Sequence, residues 1–303
     1  MSGALFGGIT IVGLAALGRW LWSLSYIILR PPITPSVNLP EMFGLSVEEV
    51  EFESEDGALL RGWWIASPKG DSDRTIVCCH GWGTNSGDVL PQTWYLNQEG
   101  FNLFYFDFRG CGRSPRRGLS SLGFYETRDL IGALKFIRRT YPRQCSRIGI
   151  YGLSMGAVTA LAASATDQGS NIGAVAAEAP FFSFRWVVSR YMQFHYSIGW
   201  FPWDFIYTET LIWRLGRINQ ETASPIVTAA RFKPPRLLLI CGDRDYMAWP
   251  SDSKEIARLA DGHDPARVDL WIVPGADHAE CFLTQPAQYR SRLSSFFKQA
   301  LPG

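Results

Sequence analysis

Residues 147–163 read RIGIYGLSMGAVTALAA, in which a predicted strand is followed at once by a predicted helix. Its first part, Arg147–Leu153, has the composition of a buried strand. The run that begins at Ala157 is rich in Ala and Leu and favours a helix. A strand that turns directly into a helix is the building unit of a parallel sheet with helices packed on its faces.

The rest of the chain repeats this alternation of strands and helices. The predicted parallel strands are Thr75–His80, Phe101–Asp107, Arg147–Leu153, Ile172–Glu178, Arg236–Gly242 and Arg267–Val273. Helical spacing or capping predicts helices at Glu126–Tyr141, Ser251–Asp261 and Ala287–Leu301. A hairpin precedes them, with Val47–Glu53 and Ala58–Ala66 on either side of Glu55-Asp56-Gly57. The predicted fold class is therefore α/β, with a mostly parallel sheet and helices on both faces.

The composition excludes several classes of protein. Of the 303 residues, 47% are hydrophobic and 19% are charged, which is far from the composition of a disordered chain. The net charge is +1, so nothing indicates a nucleic-acid partner. The six cysteines show no zinc-binding spacing, and the neighbours Cys78 and Cys79 lie inside a predicted strand. We expect reduced thiols and neither a metal nor a cofactor.

Residues 1–30 differ from the rest of the chain. Ser2–Gly18 is uncharged and mostly apolar, and Arg19 is followed by Trp and Tyr residues. This pattern favours a single-pass membrane anchor or an interfacial helix, and a core helix is the alternative. Because Arg19 and Arg30 both follow the apolar stretch, the positive-inside rule would place the folded domain in the cytoplasm. Residues 31–44 form a predicted Pro-rich linker, and residues 45–303 form the folded domain.

One segment interrupts the alternation and is unusually aromatic. From Phe181 to Trp213, 13 of 33 residues are Phe, Trp or Tyr. It lies between two predicted strands, so we expect a cap inserted at about residues 181–233. Its aromatic side chains either pack only on one another or also line a channel for an apolar substrate. The two interpretations are compatible.

The turn after Leu153 carries a candidate nucleophile. Gly152-Leu153-Ser154-Met155-Gly156 matches G-x-S-x-G between a strand and a helix, which is the context of a nucleophile elbow. Small residues two positions before and after the serine permit the tight turn. Ser154 Oγ would then stand clear of the sheet at a helix amino terminus, where developing negative charge is stabilised.

Several motifs, in the same order along the chain, make residues 45–300 resemble the α/β-hydrolase superfamily. Besides the elbow, they are His80-Gly81-Trp82-Gly83, Asp107-Phe108-Arg109-Gly110-Cys111-Gly112-Arg113-Ser114, Cys241-Gly242-Asp243-Arg244-Asp245 and Gly275-Ala276-Asp277-His278. In the third motif Cys241 replaces the family's usual His. The chain is most similar to the membrane-anchored serine hydrolases that have an N-terminal helix and no other domain.

The resemblance implies a catalytic triad of Ser154, Asp245 and His278. His278 follows the last predicted strand, whereas the other three histidines are His80 in the His-Gly loop, His195 in the aromatic segment and His263 in a loop. Asp245 fits the family's spacing for the acid, with Asp243 as a near alternative and Glu178 as a remote one. A carboxylate that orients the histidine, and a histidine that takes the serine's proton, are what a serine nucleophile needs.

The oxyanion hole is expected from the backbone N–H groups of Met155 and Trp82. The expected function is a serine hydrolase that cleaves an ester or thioester, with an acyl or lipid-like small molecule favoured as substrate, through an acyl-enzyme. A peptidase or amidase of the same fold, and a non-catalytic lipid-binding scaffold, are the alternatives. The presence of all three triad residues argues against the scaffold, because binding a lipid does not require a triad.

Overall fold

An eight-stranded sheet forms the centre of the protein in the computed structural model, which describes residues 2–115, 118–199, 201–262 and 264–303, without the side chains of 2–12, 14 and 265. The strands are β1 (Glu48–Glu53), β2 (Leu59–Ile65), β3 (Arg74–Cys79), β4 (Asn102–Asp107), β5 (Arg147–Leu153), β6 (Ala174–Glu178), β7 (Arg236–Gly242) and β8 (Val268–Val273). Their order across the sheet is β1-β2-β4-β3-β5-β6-β7-β8. β1 and β2 pair antiparallel, as do β2 and β4, and β3 to β8 run parallel.

Helices cover both faces of the sheet. They are α1 (Ser2–Leu29), α2 (Tyr95–Gln98), α3 (Phe124–Thr140), α4 (Met155–Ser164), α5 (Phe184–Tyr196), α6 (Trp203–Arg214), α7 (Pro225–Thr228), α8 (Pro250–Asp261), α9 (Cys281–Thr284) and α10 (Pro286–Ala300). Every residue of β4 is buried, as expected for a strand with protein on both sides. Cys78 and Cys79 belong to the apolar clusters on opposite faces of β3. The predicted fold class is confirmed.

The parallel strands determine where the candidate site residues gather. Ser154 follows β5, Asp245 follows β7 by a few residues, and His278 follows β8. His80 and Gly81 directly follow β3. Because the carboxyl ends of parallel strands lie at one edge of a sheet, all of these residues are brought to the same edge.

The aromatic segment lies between β6 and β7. It forms α5, α6 and α7 with short 3-10 helices, and we refer to residues 181–233 as the insertion. Phe181 and Phe184 are buried, whereas Phe201 and Phe205 are exposed. The aromatic side chains therefore serve partly as core and partly as surface.

The prediction of a single-pass membrane anchor at residues 1–30 is wrong. Among the residues that the structure describes, none of the helices combines the length and the apolar character that crossing a bilayer requires. The localisation deduced from that anchor is therefore not supported either. The last turn of α1 instead packs in the protein interior, because Ile28 and Leu29 are buried in the apolar core.

Residues 31–44, predicted to be a Pro-rich linker, contact the loop after β3. Ser36 Oγ donates a hydrogen bond to Asn85 Oδ1 at 2.7 Å, and Asn85 Nδ2 donates to the Thr34 carbonyl at 3.1 Å. One 3-10 turn, Pro40–Phe43, precedes β1. The segment thus runs along the edge of the sheet where the site residues gather.

Candidate active site

Ser154 stands at the junction of β5 and α4 in a strained backbone conformation. Its φ is 52° and its ψ is −112°, a region that side-chain-bearing residues rarely occupy. A Cβ on Gly156 would lie 2.3 Å from the Cys79 carbonyl oxygen, and a Cβ on Gly152 would lie 2.4 Å from the Gly156 carbonyl oxygen. The turn therefore needs both glycines of the G-x-S-x-G motif. The Ser154 N–H donates to the Glu178 carbonyl at 2.8 Å, which fixes the turn to β6.

Ser154, His278 and Asp245 form a continuous chain of hydrogen bonds. Ser154 Oγ lies 3.0 Å from His278 Nε2. His278 Nδ1 lies 2.9 Å and 2.8 Å from the two carboxylate oxygens of Asp245. Because a carboxylate only accepts, Nδ1 carries the proton and Nε2 is left to accept from the serine hydroxyl.

The three candidate acids are separated by their partners. Asp245 is buried, and its Oδ1 also accepts the backbone N–H groups of Met247 at 2.9 Å and Ala248 at 2.7 Å. Asp243 instead accepts from the backbone N–H of Gly275 at 2.7 Å. Of the three carboxylates, Asp245 is the one in contact with His278.

Glu178 is occupied elsewhere, at the buried end of β6. Its Oε2 accepts from the hydroxyls of Tyr151 at 2.8 Å and Tyr289 at 2.5 Å. Burial raises the pKa of Glu178, and the two tyrosine hydroxyls oppose that shift. A carboxyl that burial drives towards its neutral form suits a place in the core better than the role of orienting a histidine.

The His-Gly loop after β3 lies beside Ser154. His80 is fully buried, its Nδ1 donates to the Gly81 carbonyl at 2.7 Å, and its Nε2 accepts from the Phe108 N–H at 3.0 Å. Burial lowers the pKa of His80, and the neutral ring that results matches this pair of contacts. A Cβ on Gly81 would lie 3.6 Å from Ser154 Cβ, so the loop backbone passes directly beside the nucleophile candidate.

The two predicted oxyanion donors border the same spot. Met155 is the first residue of α4, so its N–H has no acceptor within the helix. Trp82 follows Gly81, and its side chain lines the space beside Ser154. Their role as oxyanion donors stays a prediction.

The other histidines differ in their surroundings. His195 is exposed on α5, where its ring packs at 4.4 Å from that of Tyr191. His263 lies outside the described residues. Among the described residues at this edge of the sheet, Ser154 and His278 form the hydroxyl–imidazole pair that is also in contact with a carboxylate.

Comparison with known proteins agrees with this architecture. A family model described as serine aminopeptidase, S33, matches residues 70–205. The uncharacterized protein YfhR of Escherichia coli is 28% identical over 260 residues, which are 84% of this chain and 82% of that protein. The esterase Pf2001 of Pyrococcus furiosus superposes with a TM-score of 0.74 at 26% identity, over 90% of this chain and 98% of the esterase. The chain has the α/β-hydrolase fold.

A more distant structural match is an acylaminoacyl peptidase. The Pyrococcus horikoshii enzyme has a TM-score of 0.62 at 20% identity, over 85% of this chain and 42% of that chain. At this identity the likeness concerns the fold alone. Proteins described as an esterase and as a peptidase thus share this fold, so the fold alone does not identify a substrate.

A small apolar cavity of about 30 Å³ begins at Ser154. Its lining residues are Ile28, Trp82, Leu122, Ser154, Phe181, Val187, Val188, Tyr191 and Met247. Four of them come from the insertion, whose aromatic composition indicated a substrate channel. Ile28 comes from α1 and was missed, because an apolar residue in an apolar stretch gives no signal of which surface it faces.

The insertion also reaches the histidine side of the site. The ring of Phe194 on α5 stacks on Tyr246 at 4.0 Å, and Tyr246 lies 6.3 Å from the ring of His278. Arg190 on α5 donates to the Met247 carbonyl at 2.9 Å and pairs with buried Asp252. α5 therefore contacts the loop that carries Asp245.

Proposed function

We propose that the protein is a serine hydrolase that cleaves carboxylic esters or thioesters of apolar acyl groups. The observation that carries the proposal is the hydrogen-bonded chain of Ser154, His278 and Asp245 at the mouth of an apolar cavity. The distances are those of a nucleophile, a base and an orienting carboxylate. The apolar lining of the cavity favours an acyl chain as the group bound beside Ser154.

The proposed reaction follows from these contacts. Ser154 Oγ attacks the substrate carbonyl carbon while its proton passes to His278 Nε2. The negative charge that forms on the carbonyl oxygen is stabilised by the N–H groups of Met155 and Trp82. His278 then gives its proton to the departing alcohol or thiol. Water, deprotonated by the same nitrogen, attacks the acyl-enzyme and releases the carboxylic acid and Ser154.

A peptidase of the same fold is the second candidate, because the matching family model is described as a serine aminopeptidase. An aminopeptidase has to bind the substrate's free ammonium group, which requires an acidic or other electronegative partner near the nucleophile. Among the described residues that line the cavity, none is acidic. The cavity therefore favours an acyl chain over a charged amino terminus.

The proposal is tested by labelling and by hydrolysis of matched substrates. We expect the wild type to react with a fluorophosphonate probe and to cleave p-nitrophenyl esters faster than aminoacyl p-nitroanilides. Ser154→Ala should abolish labelling and lower kcat by as much as about 10⁶-fold, the scale of loss for a triad serine. Ser146→Ala is the control, because Ser146 is exposed and remote from the site. Undiminished labelling of Ser154→Ala, or preference for the anilides, would contradict the proposal.

A further inference from the structure

The last turn of α1 is part of the wall of the candidate active site. Ile28 is 3% exposed and Leu29 is 0% exposed, although both precede the first strand of the sheet. The side chain of Ile28 lines the same cavity as Ser154 and Trp82. A segment that comes before the folded core in sequence therefore completes the surface that an acyl chain would touch.

Two hydrogen bonds fix the end of α1 to loops beside the site. The indole N–H of Trp82 donates to the Ile28 carbonyl at 2.9 Å, and the Ser120 N–H donates to the Leu29 carbonyl at 2.9 Å. The last carbonyls of a helix have no donors within the helix, so these bonds satisfy groups that would otherwise be unpaired. They also hold Ile28 at a defined depth in the cavity.

The insertion also contacts α1, through residues of α6. The guanidinium of Arg214 on α6 lies 4.0 Å from the ring of Trp22 and 3.9 Å from that of Tyr26. It also donates to the Trp22 carbonyl at 3.2 Å and to Ser25 Oγ. The hydroxyl of Tyr207 donates to the Leu24 carbonyl at 3.0 Å. α1 is thus held by contacts with the insertion on one side and with the loops of the sheet on the other, so the position of its last turn is fixed.

We infer that Ile28 is a specificity-determining residue that sets the length of acyl chain the enzyme accepts. This inference rests on the proposed function. Ile28 contributes a branched side chain to the small cavity of about 30 Å³ at Ser154, so the size of this side chain affects how much of an acyl chain fits. Removing that side chain opens room for additional methylenes, and enlarging it takes room away. Each methylene that enters an apolar site changes kcat/KM by about fourfold, the equivalent of about 0.8 kcal/mol.

The test compares chain-length profiles of full-length variants. We would measure kcat/KM for acetyl, butyryl, octanoyl and lauroyl p-nitrophenyl esters with the wild type, Ile28→Ala, Ile28→Phe and Ile27→Ala. Ile28→Ala should move the optimum to longer chains, and Ile28→Phe should lower the rate on octanoyl and lauroyl esters at least tenfold while sparing acetyl. Ile27→Ala is the matched control, since Ile27 is half-buried and does not line the cavity.

A second measurement covers the case in which Ile28→Phe does not fold. In Ile28→Cys, the new thiol should react with methyl methanethiosulfonate when Ser154 carries a methylphosphonyl group, and should be protected when Ser154 carries a long-chain alkylphosphonyl group. The wild type gives the background, because its own cysteines are buried.

The outcomes separate the inference from the proposed function. The inference is overturned, in an active enzyme, if the chain-length profiles of the two Ile28 variants coincide with that of the wild type or shift no more than that of Ile27→Ala. It is also overturned if the thiol in Ile28→Cys reacts equally fast with either phosphonyl group on Ser154. If the wild type shows no hydrolysis that depends on Ser154, the proposed function fails and the inference fails with it.

Discussion

At the scale of single residues, the surroundings of Asp245 explain why one carboxylate of three would serve as the acid. It is 3% exposed and accepts from His278 Nδ1 and from two backbone N–H groups. All three donors contact its carboxylate oxygens. Asp243 lies two residues away but faces Gly275, so proximity in sequence does not place it on the histidine.

We therefore expect Asp245→Asn to lower kcat by about 10⁴-fold, because an amide facing His278 stabilises the wrong tautomer of the ring. Asp243→Asn should change kcat by less than about tenfold, since its Oδ1 can still accept from Gly275. Steady-state ester hydrolysis by the two purified variants would measure this ranking. The reverse ranking would move the acid to Asp243.

Sequence motifs could predict some of these residues and not others. Ser154 and its flanking glycines are tied to a turn that requires them, and His278 follows a strand that its composition reveals. Ile28 has no such mark, because which side of α1 meets the cavity depends on Trp82 and Arg214, far away in sequence. Tertiary contacts of this kind are not encoded in any local pattern.

At the scale of elements, α5 is joined to the loop that carries Asp245. Arg190 is largely buried against Asp252, stacks at 4.0 Å over Trp249 and donates to the Met247 carbonyl. Met247 in turn donates its N–H to Asp245. The guanidinium of Arg190 therefore connects the insertion with α8 and with the loop that carries Asp245.

Replacing this guanidinium should affect both stability and activity. Arg190→Met should lower the free energy of unfolding by about 3–5 kcal/mol, because Asp252 is left buried without its counter-charge. kcat should fall as well, and Arg190→Lys should recover part of both. Arg185→Met is the control on the same helix, since the Arg185–Glu209 pair is half-exposed and worth at most about 1 kcal/mol. Urea unfolding and ester hydrolysis would measure the effects, and equal losses in the two Met variants would contradict the assignment.

The positions of the strands along the chain were largely predictable from the sequence, whereas the order of the strands across the sheet was not. The predicted hairpin and six further strands lie within two residues of β1 to β8, because runs of apolar and β-branched residues between turns are local signals. The position of β4 between β2 and β3 follows from pairing between distant segments. Nothing local in Asn102–Asp107 specifies those neighbours.

At the scale of the whole molecule, the later turns of α1, from Leu21 to Leu29, pack against the rest of the protein. Composition alone did not distinguish burial against protein from burial in lipid, and this is why the anchor prediction failed. Leu21, Ile28 and Leu29 are buried among residues of the folded domain. Contacts of α1 with the folded domain therefore cross the boundary expected at residue 45.

A comparison of two shortened chains tests this integration. A chain that starts at residue 31 should unfold at a lower temperature than one that starts at residue 19, because it lacks three buried aliphatic side chains worth about 1.5–3 kcal/mol each. It should also bind more of a dye that reports exposed apolar surface. Differential scanning calorimetry of both chains gives the answer, and equal midpoints would show that residues 19–30 do not stabilise the domain.

The contacts between α1 and the insertion have a consequence for how the protein folds during synthesis. Ser25 and its partner Arg214 are separated by 189 positions along the chain. At about 5–20 residues per second, a ribosome needs about 10–40 s to add that span. During this interval the first helix leaves the ribosome without its partners, and its aliphatic side chains are open to premature association. Assembly of the cavity beside Ser154 is accordingly a late event of synthesis, and a nascent chain of this kind would benefit from a chaperone that covers its beginning until the insertion has emerged.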